Sequence, residues 1–103
     1  LDINPMKEGH TLVIPKKETD YIFDLSADEL AGLMVFAQKV AKAIAKAIPC
    51  KRVAVLVLGM QVPHAHVHLI PITNESEIFE HSKLKFLAIE YEATAAKIRQ
   101  ELE

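Results

Sequence analysis

The chain has a single cysteine, Cys50, so it can form no internal disulfide and offers no neighbouring thiol for a metal motif. Nothing in it reads as a signal peptide, and no apolar run reaches membrane-spanning length. Together these absences make the cytoplasm the expected location. Cys50 itself lies between Pro49 and Lys51, a setting that reads as a structural helix-to-strand turn. A basic excess is missing too: the formal charge is −2. No global field attracts phosphate, nucleic acid is not an expected partner, and any anion binding must come from a local site. Internal repeats and low-complexity tracts are also absent.

What remains is a chain of 103 residues, 50% of them hydrophobic. That suits one domain over residues 1–103, which can bury roughly two-thirds of its unfolded surface. Leu1-Asp2-Ile3 reads as the end of an extended segment, as in a processed or truncated protein.

Asn4-Pro5 and Glu8-Gly9 are turn chemistry, and the β-rich stretch 10–14 predicts a strand stopped by Pro15. Lys16 to Asp20 reads as a solvated connection, with phosphate binding by Lys16 or Lys17 as the alternative. Ser26-Ala27-Asp28-Glu29 fits a capping box, and Leu25 and Leu30 can close a hydrophobic staple around it. A helix over 26–48 follows. Leu30, Leu33, Met34, Ala37, Val40, Ala41, Ile44 and Ile48 recur at helical spacing until Pro49 ends the run. The Leu33-to-Phe36 run widens the apolar face, as for a core or a subunit contact.

Val53 to Leu58 is continuously apolar and reads as a short strand covered on both faces. After Gly59 a second strand is expected from His64 to Ile70, with Pro63 at its entry and Pro71 at its exit. The two should pair as an antiparallel hairpin. Thr73 to Lys83 reads as loop, with His81 on the surface. Leu87, Ala88, Tyr91, Ala95, Ile98 and Leu102 mark one face of a terminal helix. The order of elements predicts an α+β domain: a mainly antiparallel sheet, one long helix and a C-terminal helix.

His64-Ala65-His66-Val67-His68 places three histidines at i, i+2 and i+4, which on a strand is one face. Alternate same-face positions are roughly 6.6 Å apart and the outer pair about twice that. One metal ion could take two of these rings but not easily three, and no Asp, Glu or Cys lies in the adjoining strands to complete zinc. The spacing suits a phosphate: a central nucleophile with a histidine on either side to bind oxygens or move a proton. Neutral imidazole is a competent nucleophile near pH 7, and the phosphoramidate it forms is a good leaving group. Turn amides around Gly59 to Val62 are candidates to stabilise the developing negative charge.

The segment His64-Ala65-His66-Val67-His68-Leu69, with Asp2-Ile3-Asn4-Pro5 and Gly9-His10-Thr11-Leu12-Val13-Ile14-Pro15 upstream, resembles the histidine-triad family over about residues 1–72. The resemblance implies the family's α+β fold and a homodimer formed through the long helix and a neighbouring strand. It also implies a family strand and helix that would precede Leu1. As to roles, it implies that His66 carries the nucleotidyl group, His64 supports it, His68 meets the phosphate or leaving group, and His10 backs the triad. Asp2 would bind ribose hydroxyls and Ile3 the nucleobase, with Gly59, Met60 and Gln61 at the phosphate. The family's glycine-rich phosphate loop is replaced by the apolar Val55-Leu56-Val57-Leu58-Gly59-Met60-Gln61, and Met60 stands where a Gln is common. The expected function is hydrolysis or transfer at the α-phosphate of a nucleoside 5′-phosphate conjugate, a phosphoramidate or dinucleoside polyphosphate, with purine bases and no cofactor. A nucleotide-binding scaffold without turnover and a metal-binding His-x-His protein are the alternatives.

Overall fold

The computed structural model describes residues 1, 7–60, 62–79 and 88–102. Asp2, Ile3, the expected turn at Asn4-Pro5, Gln61, His81 and Leu87, the first residue expected on the face of the last helix, lie outside them. The turn before the first strand is built on Gly9, whose φ is 88°, a conformation open to glycine at little cost. The His10 amide donates to the Lys7 carbonyl across this turn at 3.1 Å.

The first strand, β1, covers Thr11–Val13, shorter than the expected 10–14. A 3-10 turn at Ile22–Asp24 leads to α1, Ala27–Ala47. Here the capping box forms in full: the Glu29 amide donates to Ser26 Oγ and the Ser26 amide to Glu29 Oε1, each at 3.1 Å. Two of the four unpaired amides at the helix start are thereby satisfied. The helix ends because Pro49 disfavours helical backbone at the residue before it. Ile48 accordingly turns extended, with φ −119° and ψ 125°.

Two further strands, β2 (Arg52–Leu56) and β3 (Val67–Ile72), pair antiparallel as expected. The sheet order is β1-β3-β2, all antiparallel, so the histidine-bearing strand is central. Val13, Val67 and Leu69 are buried on the face that meets α1, where Leu33, Ala37, Val40, Ala43 and Ile44 form the other half of the core. A Leu or Ile buried as fully as Leu69 and Ile44 contributes about 1.5–3 kcal/mol. The C-terminal helix follows a short α2 (Ser76–Phe79); it is α3, Ala88–Leu102. It adds Ile98 to the core, and its buried Thr94 donates to Glu8 Oε1 at 3.0 Å.

Four expectations need correction. Pro71 lies inside β3, paired with Val53. This is tolerated because β1 pairs only as far as Leu69, so no β1 partner stands opposite the missing N–H. The run Val53 to Leu58 is not covered on both faces: β2 is an edge strand, and Val55, Val57 and Leu58 are exposed. Met34, expected with the core face of α1, is exposed beside Val35 and Phe36. The loop expected over Thr73 to Lys83 contains α2, whose first amide, that of Ser76, donates to Asn74 Oδ1 at 3.0 Å.

Candidate active site

Only His68 of the three clustered histidines stands in β3; His64 and His66 lie in the extended approach to it. Their alternation survives outside the ladder. Ala65, Val67 and Leu69 are buried, and His64, His66 and His68 are half-buried. The inward side chains thus anchor the segment while the imidazoles share the opposite face. The anchor extends to the main chain, where the Ala65 amide donates to the Thr19 carbonyl at 2.7 Å.

Each ring has a partner. His64 Nε2 donates to the Pro15 carbonyl at 3.0 Å, which ties the cluster to the end of β1. His66 Nδ1 donates to the His64 carbonyl at 2.8 Å. Because a carbonyl can only accept, the proton of neutral His66 is held on Nδ1, and Nε2 keeps its lone pair. The support that His64 gives His66 therefore runs through its carbonyl, while its ring faces Pro15.

His68 stacks edge-on against His66, with ring centroids 4.8 Å apart and planes at 72°. On its other side His68 Nδ1 meets His10 Nε2 at 2.9 Å, one nitrogen donating to the other. His10 is 2% exposed, so this bond is shielded and stronger than one in water. The turn at Gly9 delivers His10 to that place. One row of imidazoles results: His66 outermost with an available nitrogen, His68 beside it, and buried His10 behind. Such an array combines a nucleophile with an adjacent group able to pass a proton.

Gly59 and Met60 lie in the exposed connection before the triad, Met60 fully so. Asp2, Ile3 and Gln61 are outside the described residues. Among the described residues, no group of three or more His, Cys, Asp or Glu is placed to hold a metal ion. Nor is any helix among them long and apolar enough to cross a membrane. Sequence reasoning missed the carbonyls of Pro15, Thr19 and His64, which carry no side-chain signal. It also passed over Leu12 and Leu56, which the register places on either side of His68.

A family profile described as the HIT domain matches residues 1–75. The chain belongs to the histidine-triad family. Among curated histidine-triad relatives, an adenosine 5′-monophosphoramidase from Schizosaccharomyces pombe is 36% identical over 80 residues, 73% of this chain and 57% of that protein. A bis(5′-nucleosyl)-tetraphosphatase from the same organism is 33% identical over 76 residues, 69% of this chain and 42% of that protein. The chain thus spans about half the length of these two relatives. A solved histidine triad nucleotide-binding protein from Sulfolobus tokodaii superposes with a TM-score of 0.86 at 30% identity, covering 99% of this chain and 74% of that one.

Proposed function

We propose that the protein hydrolyses or transfers at the α-phosphate of a purine nucleoside 5′-phosphate conjugate through a nucleotidyl group on His66. The observation that carries this reading is the Nδ1–H bond from His66 to the His64 carbonyl, which leaves Nε2 as the nucleophile. In the first step a bond forms from His66 Nε2 to phosphorus and the bond to the leaving group breaks. The leaving group departs with the electron pair and takes a proton from His68. His68 can supply it from Nε2 as the imidazolium, with its Nδ1–H donating to His10 Nε2 across their 2.9 Å contact, and is left as the neutral ring. Water then displaces the imidazole, releasing the nucleoside monophosphate.

The reading includes a ribose contact by Asp2, a base contact by Ile3 and phosphate contacts in the segment Gly59-Met60-Gln61. It also includes a cytoplasmic location and a homodimer. For the dimer the support is the exposed apolar surface: Met34, Val35 and Phe36 on α1, Val55 on β2 and Val57 just beyond its end. Burial against a second copy would remove such a surface from water, and an open strand edge invites pairing.

The test is covalent trapping. Incubation with adenosine 5′-phosphoramidate followed by a quench that avoids acid should leave an adenylyl group on His66. His66→Gly and His66→Asn should abolish adduct and turnover by several orders of magnitude while retaining fold and nucleotide binding. Turnover that survives either substitution, or tight nucleotide binding with no turnover by the wild type, would overturn the reading.

A further inference from the structure

Among the described residues only two polar side chains are buried, His10 and Thr94. They come from opposite ends of the chain and are joined through one turn. Thr94 lies on the inward stripe of α3 with Tyr91, Ile98 and Leu102, a place that an aliphatic residue would suit. A hydroxyl there is costly unless it is bonded. It donates to Glu8 Oε1 at 3.0 Å, and Glu8 stands two residues before His10, across Gly9.

Downstream the turn runs into β1, where Thr11 pairs with Leu69 and its hydroxyl donates to the Gly9 carbonyl at 2.8 Å. Upstream, two side chains tie it to later parts of the chain: Lys7 Nζ to Glu77 Oε2 of α2 at 3.4 Å, and Glu8 to Thr94. The Lys7–Glu77 pair is partly exposed, and an ion pair of that kind holds little. The bond to Glu8 comes from a hydroxyl on a residue 6% exposed and ends on a carboxylate, which makes it the shorter and firmer tie. Thr94 is also a fixed point, since Ile98, one helical turn later, packs in the core. Glycine at position 9 leaves the backbone permissive, so the direction given to His10 depends on what holds Glu8 on one side and Thr11 on the other.

We propose that Thr94 and Glu8 are positioning residues for the histidine row: through their bond the C-terminal helix fixes the turn at Gly9, and with it the His10 ring against His68. For its effect on rate the proposal rests on the nucleotide-transfer reading. There His10 Nε2 accepts from Nδ1–H of the His68 imidazolium and stabilises the form that protonates the leaving group. A displaced His10 ring takes that acceptor away, and a misplacement of about 1 Å that begins far from the chemistry can cost about a hundredfold in rate. Thr94 itself is buried under α3 and cannot meet a nucleotide, so the loss belongs in kcat and not in KM.

The experiment removes the donor and keeps its shape. Thr94→Val should lower kcat for adenosine 5′-phosphoramidate by about tenfold with KM nearly unchanged. Thr94→Ser keeps the donor and should keep most of the rate, although the lost methyl leaves a small cavity and a lower Tm than in Thr94→Val. Stability and rate should thus rank the two variants in opposite order, which a purely structural role would not produce. Glu8→Ala should repeat the loss seen in Thr94→Val, and the double variant should be no slower than either, because both break one bond. Without substrate, nitrogen-15 spectra of the imidazoles should show the His10 and His68 rings shifted in Thr94→Val and restored in Thr94→Ser, with His64 unmoved on its Pro15 carbonyl. Unchanged kcat or ring signals in Thr94→Val, losses that multiply in the double variant, or a Thr94→Ser protein as slow as Thr94→Val would overturn the proposal. If the wild type cleaves no nucleotide conjugate, the nucleotide-transfer reading falls alone, and the ring spectra still decide whether α3 holds His10.

Discussion

Gly9 and Gly32 offer a paired test of how the site is held, because the same substitution should act with opposite signs. At Gly9 an added Cβ would lie 3.0 Å from Ile48 Cγ1 and 3.4 Å from Pro71 Cγ. Ile48 is 6% exposed and packed in the core, so it cannot swing away. The φ of 88° adds a left-handed penalty of about 1–2 kcal/mol for any residue with a Cβ. Overpacking against Ile48 adds about 1–3 kcal/mol, so Gly9→Ala should destabilise by about 2–5 kcal/mol. For a domain of this size each kcal/mol moves Tm by about 4–8 °C, and calorimetry should therefore find a fall of about 10 °C or more. At Gly32, on an exposed turn of α1, a Cβ meets nothing within 4 Å. Gly32→Ala should stabilise by about 0.5–1 kcal/mol through helix propensity. Turnover by the folded Gly9→Ala protein should also fall, since the residue directly precedes His10. A Gly9→Ala protein within about 0.5 kcal/mol of wild type would refute the argument that this turn places His10 by a conformation reserved for glycine.

Four further outcomes are expected. Ser26→Ala should cost about 1 kcal/mol in chemical denaturation by removing the N-cap. The Ser26 amide, then its hydroxyl, hold the Glu29 carboxyl below its ordinary pKa. The capping contribution of that carboxylate should therefore be complete above the usual glutamate range and disappear as pH falls through the lowered value; the stability gap between wild type and Glu29→Gln should close in acid. Phe36→Glu, at an exposed position, should convert the proposed dimer to monomer in light scattering, and an unchanged mass would remove α1 from the interface. Asp2→Ala should weaken nucleoside monophosphate binding by about 1–3 kcal/mol in calorimetric titration, with no such loss for a 2′,3′-dideoxyribose nucleotide.

Much of the architecture could be read from local chemistry. The Ser26 capping box, the Pro49 stop and the apolar spacing of α1 are each set by residues within a turn or two of one another; the first two occur where expected, and the third does at Leu33, Ala37, Val40 and Ile44 but not at Met34. The hairpin of β2 and β3 was similarly legible. Failures came where a residue's meaning depends on its neighbours across the sheet. Pro71 reads as a terminator unless β1 is known to stop short of it, and Val55 reads as buried unless β2 is known to be an edge. At the site, the pattern of histidines disclosed which rings share a face, and the upstream His10 was recognisable through the family resemblance. The bond from His66 to the His64 carbonyl was not legible, because it depends on the path of the backbone just before β3.

That bond has a consequence for anyone trying to silence or tune the proposed nucleophile. In many enzymes the orientation of a catalytic imidazole is entrusted to a side chain, and exchanging that side chain grades the activity. Here the orienting atom is a peptide oxygen, which every amino acid at position 64 would supply. Scanning His64 through other residues would alter its tie to Pro15 yet leave the acceptor for His66 in place. The tautomer of His66 is therefore encoded in chain geometry and lies beyond the reach of ordinary substitution at the residue that enforces it. Replacing the 64–65 peptide link by an ester would weaken that carbonyl as an acceptor without changing any side chain.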